Sequence, residues 1–196
     1  MNLEFVNRWL ALFASQIKAE KEYIADLDRA IGDADHGFNM AKGVEAYEAT
    51  IAKTAPKDPA DAFMKLAMAM LSKVGGASGP LYGSAFMGVS KALKGKAEFS
   101  AEDLAAAVEA GLASIQSRGK AQEGEKTMVD VWAPVARSLK AGDLTEEKVD
   151  SFVNATVPIK ATKGRASYLG DASIGHIDPG SYSSGVFFKA MLKAAE

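Results

Sequence analysis

The sequence predicts an all-α protein of about eight helices in one domain. Three observations carry that reading. Apolar residues recur at helical spacing along most of the chain, strand-type alternation appears nowhere over a convincing length, and 196 residues suffice for one well-cored domain but are short for two.

Val6, Trp9, Leu10, Phe13 and Ile17 predict an amphipathic helix from Leu3 to about Glu20. Tyr23, Ile24, Leu27 and Ile31 continue an apolar face and predict a second helix ending between Asp28 and Ile31, with Gly32 permitting the turn. Helical character resumes after Gly37 and runs from Met40 to Ile51. Asp58 followed by Pro59 reads as an N-cap and first helical residue. The run Phe63 to Leu71 behind it is too apolar for a surface helix and is expected in the core. A small-residue loop, Val74 to Pro80, precedes a helix from Leu81 to Leu93. Ser100 and Asp103 form a capping box opening a helix to about Ser117. Gly119 to Lys126 is polar and loop-like, and Met128 to Leu139 is helical, with Pro134 either kinking it or sitting in a shifted first turn. Thr145 caps a helix expected to run to about Ala161. Lys163 to Ser184 is the longest irregular segment, and Gly185 to Ala195 is the last helix.

Bulk properties exclude several function classes. With 48% apolar and 24% charged residues, the chain has ordinary globular composition rather than that of a disordered one. A net charge of −2 gives no electrostatic reason for binding nucleic acid or an anionic membrane surface. The absence of cysteine excludes disulfides, thiolate metal sites and thiol nucleophiles. Residues 1–20 hold no uninterrupted apolar stretch of signal-peptide type, and no 18-residue apolar run exists. A cytoplasmic protein without a membrane span is expected.

Chemistry concentrates in Asp28 to Met40, which packs three carboxylates, one of the two histidines and two glycines between helical segments. Asp33 and Asp35 can point the same way from a turning loop, and Asp28 on the preceding helical turn can reach the same volume. Three close carboxylates repel unless protonated or bound to a hard cation, and Mg²⁺ takes such oxygen ligands while keeping sites for phosphate oxygens. The alternative is a solvated acidic loop whose aspartates cap backbone amides. An EF-hand fails, since Gly37 and Val44 stand at the wrong positions for it. Beside the cluster, His36 can bond a phosphate or a metal-bound water, whereas His176 reads as a loop histidine. Gly75 to Gly79 precedes a helix, where unpaired amides and the Ser78 hydroxyl suit an anion, although a plain interhelical turn fits equally. Gly119 to Thr127 imitates a P-loop, but Glu125 intrudes before Lys126 and no strand precedes it, so a Walker A site is rejected. Arg165, among small residues, is a candidate phosphate clamp or a surface arginine.

Leu27-Asp28 followed by Gly32 to Met40 resembles the nucleotide-binding domain of dihydroxyacetone kinases. The likeness continues through Gly75 to Gly83, Gly124 to Asp130, and Asp178 to Ser181, four blocks in family order. One departure is Ala34, where the family usually has glycine. The resemblance implies an antiparallel eight-helix barrel with a nucleotide, ADP or ATP, at one end. Asp28, Asp33 and Asp35 match the aspartates that hold two Mg²⁺ ions against the phosphates. His36, Gly37, Phe38, Asn39, Ala77, Ser78, Gly79, Gly119, Met128, Arg165, Asp178, Pro179 and Gly180 match the nucleotide contacts. ATP-dependent members resemble fusions with a dihydroxyacetone-binding domain, for which this chain has no room, so it looks like the free-standing L subunit of the phosphoenolpyruvate-dependent branch. In that branch ADP stays bound as a coenzyme, a phosphocarrier M subunit phosphorylates it in place, and the phosphoryl group passes to dihydroxyacetone on a K subunit. A homodimer is expected. Two other readings remain open. One is the same domain in another kinase, such as a fatty-acid kinase; the other is a nucleotide-state sensor controlling a transcription regulator.

Overall fold

Short polar side chains start the helices. Asn2, Asp58, Ser100, Thr145 and Asp178 each accept a hydrogen bond from a backbone amide of the first turn they precede, and at Ser100 the reciprocal bond from its own amide to Asp103 completes the capping box. The computed structural model describes residues 1–196 and contains eight α-helices. They are α1 (Leu3–Ile31), α2 (His36–Lys53), α3 (Pro59–Lys73), α4 (Ser78–Ala92), α5 (Ala101–Gly119), α6 (Val129–Ala141), α7 (Glu146–Asn154) and α8 (Pro179–Ala194). A 3-10 segment, Arg165–Ser173, lies between the last two. Extended structure is limited to an isolated bridge between Asn2 and Glu98.

Each helix packs on the next, and α8 returns to pack on α1, so the eight close into a barrel. Neighbours run antiparallel, which has a direct chemical consequence. Helices α2, α4, α6 and α8 all begin at the same end, where their unpaired amides and positive dipole ends collect. The odd-numbered helices finish there.

The barrel interior is filled by aromatic rings. Phe187 of α8 has ring centroids 4.6 Å from Trp9, 5.2 Å from Phe13, 5.1 Å from Phe86 and 5.7 Å from Trp132, which come from α1, α4 and α6. All five side chains are fully buried. The Trp9 indole also donates to the Phe187 carbonyl at 2.8 Å, tying the first helix to the last. Close backbone approach is purchased with glycine: a Cβ on Gly37 would stand 1.9 Å from the Lys21 carbonyl oxygen, so α2 meets α1 with no side chain between them.

Several element boundaries differ from the sequence expectation. The two N-terminal helices are one, because Val6 to Ile31 forms a single buried stripe with no breaker inside it. Met68 and Leu71, expected in the core, are exposed on the outer face of α3, while Phe63, Leu66 and Met70 are buried. Helix α4 starts at Ser78 rather than Leu81. Pro134 lies inside α6, past its first turn, which is already closed by the Trp132 amide on Met128 O. Helix α7 ends at Asn154 instead of continuing to Ala161; Pro158 cannot donate a helical bond and disfavours helical backbone at Val157. Helix α8 begins six residues earlier than Gly185, because Asp178 and Pro179 repeat the cap-plus-proline signal seen at Asp58 and Pro59.

Candidate functional site

The four connections at the common end of the even-numbered helices border an open cleft. Asp28, Asp33, Asp35 and His36 enter from the α1–α2 loop, and Ala77, Ser78, Leu81 and Tyr82 from the start of α4. Lys126, Thr127 and Met128 come from the loop before α6, and Arg165, Asp178, Pro179 and Gly180 from the long α7–α8 connection.

One carboxylate oxygen from each of Asp28, Asp33 and Asp35 lies within 4.8 Å of the others. Asp28 is buried and the other two are open to solvent. Asp28 Oδ2 accepts from the Asp35 amide at 2.9 Å and the His36 amide at 3.1 Å, so it caps α2 from the end of α1 and fixes the loop between them. Its Oδ1 sits against Gly32, where any Cβ would come within 2.1 Å of it. Gly32 is therefore required for space, not for a left-handed turn. The left-handed residue in this loop is Ala34, with φ 63°. Burial, followed by the charge of Asp33, raises the Asp35 pKa, while a hydrogen bond from Asn39 lowers it. The donor set is all oxygen and anionic, and Asp28 Oδ1 is left outside the capping bonds, so these residues fit a hard divalent cation such as Mg²⁺.

The same cleft also holds groups suited to an anion. The Ala77 and Ser78 end of α4 presents amides and a hydroxyl, and Asp178 caps α8 through the Ser181 amide at 2.7 Å. Burial pushes the Asp178 pKa up to about 6. Arg165 pairs with Asp33, Nη2 to Oδ2 3.0 Å, so it is neither a free clamp nor a plain surface residue. His36 is buried between two hydroxyls, Nδ1 at 2.9 Å from Ser78 Oγ and Nε2 at 2.8 Å from Ser183 Oγ, and burial pushes its pKa down to about 4. His176 is an exposed loop residue, as the sequence suggested.

A second trough continues from the cleft between α4 and α5. Its wall is apolar, with Leu81, Ile115, Ala121, Met128 and Val129, and Gly119 stands at its edge. Gly119 thus belongs to one arm of a continuous groove and the carboxylates to the other, with Met128 lining both. Three sequence-predicted residues of α2 do not line the cleft. Gly37 provides the backbone contact with α1, Asn39 packs under Gly75, and Phe38 is exposed. Gly79 is buried, and a Cβ there would come within 2.2 Å of Val74 O.

Sequence reasoning missed Lys126. Its side chain is fully buried, and its ammonium donates to the carbonyls of Thr156 at 2.6 Å and His176 at 2.5 Å. A longer approach of 3.5 Å reaches Val157 O. Burial lowers its pKa, opposed by the carboxylates of Asp178 and Asp130. The loop that imitates a P-loop therefore binds its lysine ammonium to the backbone of the α7–α8 connection. Asp130 holds the same loop by accepting from the amides of Gly124 and Thr127. No pattern of spacing could announce that arrangement, because its acceptors are main-chain oxygens thirty to fifty residues away.

Residues 30–193 match the DAK2 domain. A Listeria innocua protein named PEP-dependent dihydroxyacetone kinase 1, ADP-binding subunit DhaL, is 50% identical over 95% of this chain and 93% of its own length. A Lactococcus lactis protein, the PTS-dependent dihydroxyacetone kinase, ADP-binding subunit DhaL, is 43% identical over 98% of each chain. The corresponding PEP-dependent subunit of Escherichia coli is 39% identical over 95% of this chain and 94% of its own. The crystal structure of the dihydroxyacetone kinase of C. freundii shares the fold, with TM-score 0.75 and 23% identity over 100% of this chain and 35% of that one. This chain thus spans about a third of that kinase's length. The helical barrel, the order of its motifs and this extent of identity agree: the chain belongs to the DAK2-domain family.

Proposed function

We propose that this chain is the ADP-binding subunit of a phosphoenolpyruvate-dependent dihydroxyacetone kinase. ADP stays in the cleft, a phosphocarrier M subunit converts it to ATP in place, and the phosphoryl group goes to dihydroxyacetone held by a K subunit. The observation that carries the reading is the placement of three convergent carboxylates in one cleft with the N-termini of α4, α6 and α8. The names of the curated relatives support the choice of nucleotide and acceptor.

Asp28, Asp33 and Asp35 would hold the metal, two Mg²⁺ ions in this reading. When bound, Mg²⁺ supplies charge neutralisation for the phosphates of the nucleotide. The chain's own groups do the rest by positioning. Asp28 fixes the loop, the amides at the start of α4 and α8 face the phosphates, and Ser78 offers a hydroxyl. The apolar trough along Leu81, Ile115, Met128 and Val129 suits the nucleotide base, which removes apolar surface from water on binding. Phosphoryl transfer by positioning and charge neutralisation needs no covalent nucleophile from the cleft.

Mass spectrometry of the purified protein under non-denaturing conditions tests the coenzyme reading, with retained ADP and two Mg²⁺ expected. An empty protein needing millimolar ATP would instead favour an ordinary kinase. Asp33→Asn should abolish phosphoryl transfer in a reconstitution with K and M subunits while the helical circular dichroism is unchanged. Full transfer by that variant sinks the metal assignment.

A further inference from the structure

A line of hydrogen-bonding side chains runs from the cleft into the middle of the barrel. Ser78 Oγ lies 2.9 Å from His36 Nδ1, and His36 Nε2 lies 2.8 Å from Ser183 Oγ. Ser183 Oγ is 2.7 Å from Tyr82 OH, which is 2.9 Å from Ser184 Oγ. The Trp132 indole N–H closes the line by donating to Ser184 Oγ at 3.1 Å. All of these residues except Ser78 are buried, and Ser78 forms part of the cleft wall.

Counting protons fixes the inner half of the line and leaves two arrangements for the outer half. An indole nitrogen can only donate, so Ser184 Oγ accepts from Trp132. The proton on Ser184 has the Tyr82 oxygen as its one acceptor. Tyr82 must then pass its own proton on, to Ser183 Oγ or to the Gly180 carbonyl at 3.2 Å. By the first route the Ser183 proton is free for His36 Nε2; when it goes there, the single proton of the neutral ring sits on Nδ1, and Nδ1–H donates to Ser78 Oγ. The Ser78 proton is then not spent on the ring. It faces the cleft.

We infer that the line runs outward from Trp132 through Ser183 to the ring, that it holds His36 as the Nδ1–H tautomer, and that His36 thereby positions the Ser78 hydroxyl as a donor into the cleft. The receiving group is a phosphate oxygen, a step that rests on the nucleotide reading given above. Hydrogen bonds aligned head to tail strengthen one another through polarisation, and here all of them point toward the anion. The reverse arrangement spends the Ser183 proton on the Pro179 or Gly180 carbonyl, at 3.1 and 3.2 Å, and turns the Ser78 proton into the ring. It would present Ser78 lone pairs to an anion. His36 is on this account a positioning residue that acts through Ser78.

Nitrogen-15 NMR of the histidine side chains tests the assignment directly. Only two histidines exist, so His176→Gln identifies the His36 signals. The expected result is a protonated, pyrrole-type Nδ1 and a pyridine-type Nε2 in the nucleotide-free protein; a protonated Nε2 overturns the proposal. Ser184→Ala breaks the line, and Trp132→Phe removes its anchor by a second route. Either should shift the tautomer and weaken ADP–Mg²⁺ binding by about tenfold, close to the loss from Ser78→Ala. In the Ser78→Ala background, Ser184→Ala should add nothing. An equal loss in both backgrounds overturns the coupling. The Trp9 indole, which donates to a backbone carbonyl outside the line, reports whether each variant keeps its fold. Failure of the unmutated protein to bind ADP would overturn the phosphate role of Ser78, while the tautomer measurement would still decide the direction of the line.

Discussion

Arg165 reaches across the mouth of the cleft to Asp33, Nη2 to Oδ2 3.0 Å, and links the 3-10 segment to the acidic loop. Both side chains are substantially open to solvent, at 69% and 35%, so screening limits what the pair adds to stability. Arg165→Ala should change the unfolding free energy by no more than about 0.5 kcal/mol. The same variant should weaken ADP–Mg²⁺ by about tenfold, since it removes a charge-assisted contact available to phosphate. Urea unfolding and calorimetry on one preparation check both halves.

The Asp178 carboxyl gives the protein a particular pH dependence. Its pKa is raised by burial to about 6 in the folded chain, against 3.8 as the reference value. The folded state therefore holds this proton more tightly than the unfolded one between pH 4 and 6. Its contribution to stability is fully present below the unfolded pKa and is lost as pH rises through about 6. His36, with its pKa pushed down to about 4, has the opposite slope over much of that range. Asp178→Asn keeps a competent cap and removes only the titration. Relative to that variant, the parent protein should lose about 1 to 3 kcal/mol of stability between pH 4 and 7. Equilibrium unfolding across this range, run on both proteins, gives the difference with the His36 contribution cancelled.

Lys126 ties its own loop to two segments thirty and fifty residues further along the chain. Lys126→Met retains the volume of the stem but strips the carbonyls of Thr156 and His176 of their donor. A loss of about 3 kcal/mol is expected, as for other buried charged hydrogen bonds that lose one partner. Hydrogen exchange should accelerate in residues 154–178 well before it does in α3 and α4.

Ala34 holds a left-handed backbone, φ 63°, in the middle of the acidic loop. Ala34→Gly should relieve that strain and stabilise the protein by about 0.5 kcal/mol, the left-handed penalty being partly offset by the greater freedom of glycine when unfolded. Thermal melts resolve a change of this size, and ADP affinity should be unaltered.

How much of this was legible depended on the range of the interaction. Caps and capping boxes are written in three or four adjacent residues, so Asp58, Ser100 and Thr145 were found from sequence. The same signal at Asp178 and Pro179 lies within a glycine-rich stretch whose composition masks it, so the start of α8 is not evident from local sequence. The acidic loop was legible as chemistry, since Asp28, Asp33 and Asp35 are close in the chain. Gly32 and Gly37 were visible as glycines, yet their reasons, space for Asp28 Oδ1 and contact with Lys21 O, exist only after α1 and α2 have packed. Lys126, Tyr82, Ser183 and Trp132 were illegible for a similar reason. Their partners come from other helices, and nothing local distinguishes them from core or loop residues.

The contact of α8 with α1 bears on how the molecule comes into being. The cleft takes Asp28 from the end of one and Asp178 from the cap of the other, so its two walls are separated by nearly the whole chain. Local contacts between successive helices can form early, but this long-range closure carries the largest loop-entropy cost and comes late. During synthesis the first seven helices can pack in part while the space meant for Phe187 stays open to water among Trp9, Phe13, Phe86 and Trp132. The last sixteen-residue helix is thus a plug as well as a wall, and a chain released before it emerges would have both an unfilled core and half a cleft.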